Sequence, residues 1–251
     1  MEEFSKLVQL METLRGENGC PWDKKQTEKA FRTFLLEEVY ELIEAIDHDN
    51  YGALKEELGD LLFHIVFIAQ ICKEKHQFDI NDVVRDTYRK MYGRHPHVFL
   101  KDGDARPIEM RWEEIKKSEK EGYSPLANVP RILPALLRAF VISKRAARLG
   151  FDWEKLEDVY DKMFEEIEEL KEAERSGATE KIEEEIGDLL FSIANISRHH
   201  AIDPERALRG TIDKFIRRFN YIEERVDITQ SDLKTMDALW NEAKEKERKG
   251  G

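Results

Sequence analysis

The chain contains two copies of one pattern. Among its 251 residues, Glu37-Glu38-Val39-Tyr40-Glu41-Leu42-Ile43-Glu44 returns 128 positions later as Glu165-Glu166-Ile167-Glu168-Glu169-Leu170-Lys171-Glu172. At the same interval Glu56-Glu57-Leu58-Gly59-Asp60-Leu61-Leu62-Phe63 returns as Glu184-Glu185-Ile186-Gly187-Asp188-Leu189-Leu190-Phe191, and Trp112 returns as Trp240. Between these anchors Lys90 and Arg94 match Lys214 and Arg218 at an interval of 124, which predicts a loop near His76–Asp79 that is four residues longer in the first copy. A period this long lies far above the roughly 20–50 residues of stacked repeat arrays, so the chain reads as a duplicated domain and not as a solenoid.

Each copy reads as helical. Five of the seven prolines fall between residues 96 and 134, and none occurs in 22–95 or 135–203. Proline is the residue least tolerated inside helices, so two helical blocks flank a broken middle. Apolar residues recur at helical spacing in Phe4, Leu7, Val8, Met11 and Leu14, and again in Leu54, Leu58, Leu61, Leu62, Ile65 and Ile68, while period-two alternation is missing. The fold class expected is therefore all-α, two tandem helical bundles. Helices are expected near 3–14, 29–47, 52–75, 81–92, 109–121, 132–148, 154–175, 179–199, 204–225 and 231–248. The domain division expected is 1–122, a proline-rich linker at 123–134, and 135–251.

Composition narrows the function. Forty-one basic against 53 acidic residues leave a net charge of −12, which repels nucleic acid and anionic membrane. Two cysteines, Cys20 and Cys72, cannot build a disulfide framework. The opening Met1-Glu2-Glu3 lacks the basic and apolar regions of a signal peptide, and the longest apolar stretch, Leu61 to Ala69, is far short of the ~20 residues of a membrane span. A cytoplasmic location is expected.

The chemistry lies in the repeated acids. One helix of each copy carries Glu-x-x-Glu, at Glu38 and Glu41 and at Glu166 and Glu169, and the next carries Glu-x-x-Asp, at Glu57 and Asp60 and at Glu185 and Asp188. Residues three apart share a helix face, so an antiparallel hairpin can bring two carboxylate pairs together. Four converging carboxylates repel unless cations or protons intervene, and Mg²⁺, a hard ion that keeps waters for phosphates to displace, suits them; Mn²⁺ can substitute. Acidic pairs also decorate solvated helix faces, and only their context distinguishes these from such decoration. Asp60 and Asp188 each precede Leu-Leu-Phe and follow a mid-helix glycine, which costs ~1 kcal/mol relative to alanine and predicts close backbone approach. Ferritin-type iron chemistry would use Glu-x-x-His, which is not the pattern here. His64, whose counterpart is Ser192, is expected to be packed or locally hydrogen-bonded. Downstream, Lys90 and Arg94, and Lys214, Arg217 and Arg218, can bind an anion, while Trp112 and Trp240 are either core residues or platforms for a base. Glu37 and Glu165, beside the ligands, are the candidate general bases.

Taken together these residues resemble the MazG family of nucleoside triphosphate pyrophosphohydrolases with two tandem domains. Gly19-Cys20-Pro21-Trp22-Asp23 with Gln26-Thr27 resembles the opening of the first MazG domain, and Ala147-Arg148-Leu149-Gly150-Phe151-Asp152-Trp153 that of the second. The resemblance implies an all-α pyrophosphatase fold, a homodimer, Mg²⁺ dependence, and cleavage of NTPs or dNTPs to monophosphate and pyrophosphate. It places magnesium ligands at Glu166, Glu169, Glu185 and Asp188, with Glu38, Glu41, Glu57 and Asp60 in the first copy. It places nucleotide contacts at Lys181, Glu184, Lys214 to Arg218, and Trp240; Lys181 aligns with Ala53 in the first copy, with Lys55 nearby. The other readings are a non-catalytic helical module that binds nucleotide or protein, and a relative restricted to dUTP, dCTP or phosphoribosyl-ATP.

Overall fold

The computed structural model describes residues 2–99, 106, 108–119 and 122–250, and of residues 108–110, 113 and 250 the backbone alone. The described residues form helices and no strand. In chain order the helices are α1 (Glu2–Arg15), α2 (Pro21–Lys25), α3 (Glu28–Asp47), α4 (Tyr51–Glu74), α5 (Ile80–Gly93), α6 (Pro96–Phe99), α7 (Ile108–Glu119), α8 (Ala135–Arg148), α9 (Leu156–Ser176), α10 (Thr179–His199), α11 (Pro204–Glu223) and α12 (Leu233–Gly250). All ten expected helices are present. The two unexpected ones are single turns that begin on Pro21 and Pro96, where proline starts a helix because its missing N–H would be unsatisfied there anyway.

Contacts divide the chain into Met1–Ala105 and Arg106–Gly251. This differs from the expected division at 122, since α7 falls in the second unit. Within the proline-rich segment the Pro125 carbonyl accepts from the Arg145 guanidinium of α8 at 2.7 Å.

In the first unit α3 and α4 form a hairpin across three residues, α1 and α5 pack on α4, and α2 packs on α1. The core holds Met11, Phe31, Val66, Phe67, Ala69, Ile71 and Ile80. Phe31 of α3 stacks on Phe67 of α4 with ring centroids 4.2 Å apart, and Phe34 meets Phe31 edge-on at 5.6 Å. Local caps set where the helices begin. Thr27 Oγ1 accepts from the Ala30 amide, Asn50 Oδ1 from Ala53, and Asp79 forms a reciprocal capping box with Asp82. In the second unit α9 and α10 form the equivalent hairpin, α8 packs on α10 and α11, and α12 packs on α11. Gly177, at φ 68°, ends α9 in the left-handed conformation that glycine adopts without strain.

The four extra residues of the first copy are not mainly loop. Helix α4 spans 24 residues against 21 in α10, and the connection to the next helix is five residues in the first copy and four in the second. A helix absorbs three residues with their hydrogen bonds made, whereas a longer loop leaves backbone groups to water.

Arg15 closes the first unit. Its guanidinium donates to the Asp23 and Gln26 carbonyls and to both carboxylate oxygens of Glu74, at 2.8 Å and 2.7 Å, and its side chain is only 6% exposed. In the second unit Arg198 does comparable work on Asp152, with Nη1 donating at 2.9 Å. No helix among the described residues is long and apolar enough to cross a membrane.

Hydrogen bonding from Arg15 holds the Glu74 carboxyl below the ordinary range, so this group stabilises the fold when ionised. That stabilisation is complete above the unfolded value of about 4.3 and disappears as pH falls through the depressed folded value. The melting temperature of Glu74→Gln should therefore lie below wild type at pH 6 and converge with it as pH falls past the depressed folded value. A constant gap across that range would refute the linkage.

Candidate functional site

In each hairpin the carboxylates of the two helices meet. Ligand oxygens of Glu38, Glu41 and Glu57 lie within 4.8 Å of one another, as do those of Glu166, Glu185 and Asp188. Three of the four expected ligands are thus gathered in each copy. The fourth differs: Asp60 stands outside the first triad and Glu169 outside the second, though each acts electrostatically on its neighbours. The position is set by the hairpins, since three-residue spacing puts Glu38 and Glu41 on one face of α3 and Glu185 and Asp188 on one face of α10.

The electrostatics are those of crowded like charges. Burial first, then Asp60, Glu41 and Glu37, push the Glu38 carboxyl above the ordinary range, against a hydrogen bond with Glu57. Burial and the charges of Glu41 and Glu38 push Glu57 up too. Glu169 is raised by burial and its hydrogen bond with Glu166, and Glu185 by burial and the charge of Glu166. An all-oxygen donor set with these repulsions fits a hard divalent cation, which turns the repulsion into coordination.

Lys162 is a site residue that the repeat conceals. It stands one turn before Glu166 on α9, and its ammonium lies 2.8 Å from Glu166 and 3.0 Å from Glu165. These contacts raise its pKa well above that of a free lysine. The candidate base Glu165 is thus already paired, while Glu37 is exposed on α3.

The basic residues are placed unequally. Lys90 lies in the last turn of α5 and Arg94 is its C-cap, whereas Lys214, Arg217 and Arg218 lie well inside α11. Arg218 is already engaged: Nε and Nη2 donate to Glu247 of α12 at 2.9 Å and 2.6 Å, and its guanidinium lies over the Trp240 ring at 5.4 Å. Arg217 is largely exposed, with Glu247 at 3.9 Å. Trp240 also packs against Phe215, with centroids 5.1 Å apart, and Trp112 lies beneath the Lys116 ammonium at 5.9 Å. Lys181 and Glu184 are exposed on the first turns of α10.

The histidine and the glycines beside the acids part company. His64 is packed, edge-on to Phe31 at 5.2 Å, and burial lowers its pKa, as expected of a core histidine. The glycines, however, do not mark a close approach within the chain, because a Cβ on Gly59 or Gly187 would meet nothing within 4 Å. Both glycines lie on exposed helix surface.

Because Glu57 carries a raised pKa, its ionised form opposes folding at neutral pH, and that opposition is relieved as pH falls toward the folded value. Without divalent cations, Glu57→Gln should therefore melt above wild type at pH 7. Added Mg²⁺ should raise the wild-type midpoint by more than that of the variant. A variant that melts at or below wild type in EDTA would contradict the repulsion.

The description "MazG nucleotide pyrophosphohydrolase domain" matches residues 26–99 and 154–222, one match per hairpin. The chain is 42% identical to a nucleoside triphosphate pyrophosphohydrolase of Escherichia coli strain K12, covering 98% of this chain and 99% of that protein. It is 44% identical to the nucleoside triphosphate pyrophosphohydrolase/pyrophosphatase MazG of Thermotoga maritima, over 96% of this chain and 95% of that one. A nucleoside triphosphate pyrophosphohydrolase of Mycobacterium tuberculosis is 36% identical over 59% of this chain and 46% of its own. With both hairpins matched and relatives aligned along nearly the whole length, this chain belongs to the MazG nucleotide pyrophosphohydrolase family.

Proposed function

We propose that this MazG-family hydrolase cleaves nucleoside triphosphates, ribo- or deoxyribo-, to the monophosphate and pyrophosphate, using Mg²⁺ or Mn²⁺, as a cytoplasmic homodimer. The observation that carries the reading is the convergence of hard oxygen donors at equivalent points of the two hairpins. The names of full-length relatives support the substrate class.

Glu166, Glu185 and Asp188, with Glu169 beside them, would hold the cation, and Glu38, Glu41, Glu57 and Asp60 would do so in the first copy. A bound divalent ion supplies charge neutralisation at phosphate oxygens and acidifies water. The chain's own residues do the rest. Lys214 and Arg217 bind the phosphates, Arg218 braces Trp240, and Trp240 offers its ring to the base. Lys181 and Glu184 flank the substrate from α10. A carboxylate oxygen of Glu165, or of Glu37 in the first copy, takes the proton of the attacking water. The new bond forms at the α-phosphorus, the bond to the bridging oxygen breaks, and pyrophosphate leaves with the electron pair.

Exposed apolar stripes support the homodimer. Leu58, Leu62 and Ile65 on α4 and their counterparts Ile186, Leu190 and Ile193 on α10 are all at least 39% exposed, at helical spacing. Within the run Ile65-Val66-Phe67-Ile68-Ala69, Val66, Phe67 and Ala69 already lie in the core of the protomer. The surface left for a partner is the neighbouring stripe.

The second copy is the stronger catalyst in this reading, because its cations stand within a long helix while Lys90 and Arg94 stand at a helix end. Pyrophosphate release from a panel of nucleotides, with Mg²⁺ and with EDTA, tests the reaction. Release should require metal, with Mn²⁺ effective and Zn²⁺ poor. No release from any nucleotide would favour the binding module, and release confined to one base the restricted relatives. Losing even an outer partner of a metal ligand costs roughly 10–100-fold, so Asp188→Asn should lower turnover by more than about a hundredfold. Asp60→Asn should retain most turnover; equal losses would mean equivalent copies.

A further inference from the structure

The two carboxylate clusters match in sequence but differ in what stands against them. Residue 162 of the second copy is lysine, and the position 128 earlier is Phe34. Phe34 is turned to other rings, with centroids 6.3 Å from Trp22 and 6.1 Å from His64. Lys162 is turned to the acids. Its ammonium is 2.8 Å from an oxygen of Glu166, whose side chain is 6% exposed, and 3.0 Å from Glu165, while its own side chain remains 38% exposed. Its charge also acts on Glu169 and Glu185.

Glu166 is the one buried member of the second triad, and with one of its oxygens already held by the ammonium it takes a divalent ion only by bringing that ion against the lysine's charge. Two cations on one carboxylate repel each other, and the flexible, part-exposed lysine is the one able to leave. We propose that Lys162 is a tethered counter-ion that competes with the divalent cation for Glu166. The second cluster therefore takes up free metal more weakly than the first, although both offer carboxylate oxygens. In the first copy the phenylalanine at the matching position offers no charge to compete with a cation for Glu38, Glu41 and Glu57. As free divalent ion rises, the first copy loads before the second.

The proposal rests on the metal-dependent reading above, and its test separates the two. The probe is Mn²⁺ alone, followed by electron paramagnetic resonance of the free ion during titration of the full chain without nucleotide. Glu57→Gln removes the first cluster, so the remaining site belongs to the second copy. In that background Lys162→Met should tighten Mn²⁺ binding by roughly tenfold or more, the weight of a lost charge-assisted contact. Lys162→Gln should do the same, which covers the case in which methionine perturbs folding, and Lys162→Arg should leave the affinity near that of the lysine. In the otherwise unaltered chain, Phe34→Lys should weaken the tighter class. Unchanged or weaker binding in both neutral variants would overturn the proposal while the metal reading stands. Absence of Mn²⁺ binding in the wild-type chain would overturn both.

Discussion

Mutual repulsion of carboxylates is the constraint on which both halves of this molecule turn. Each hairpin forces acids from two helices to within 4.8 Å, an arrangement that an isolated helix pair would relieve by splaying. What prevents this in the first unit is the apolar side of the same hairpin. Phe31 and Phe67 are stacked across it and fully buried, and emptying such a position costs about 3–5 kcal/mol. The core is the anvil against which the acids are held. In the second copy a lysine beside Glu166 offsets part of the remaining repulsion, whereas the matching position of the first copy holds Phe34.

The arginine anchors serve the same need for rigidity. Arg15 and Arg198 are nearly buried and bidentate, and each ties the segment ahead of its hairpin to the far end of the hairpin's second helix. They come from different helices, α1 and α10, so duplication kept the task and not the residue. Anchoring accounts for the carboxylate of Asp152, which Arg198 holds, whereas Arg15 holds only the backbone of Asp23.

The long helices are legible in the sequence because apolar spacing and the absence of proline agree over many residues. The acids are legible because they appear twice at one interval. Where the two copies diverge that signal is silent, and Lys162 is hidden opposite Phe34. Proline reads as a breaker, so the single turns at Pro21 and Pro96 leave no helical signal of their own. The glycines before Asp60 and Asp188 mislead in the other direction, because a helical cost is visible in sequence but its reason is not; both face open space. That Arg218 is engaged by Glu247 depends on α12 folding back on α11, which no local pattern encodes.

The extra length of α4 sets the direction in which the chain leaves the first hairpin. Three more helical residues than in α10 advance the chain by about 4.5 Å and, at 100° each, turn its exit by about 300°, which is about 60° short of a full revolution. The helix carrying Lys90 and Arg94 therefore departs from a point farther along the hairpin, swung to one side of the bearing that α11 takes from α10. A polyphosphate chain anchored on the acids of one copy would therefore meet the next helix at a different reach and bearing from one anchored in the other.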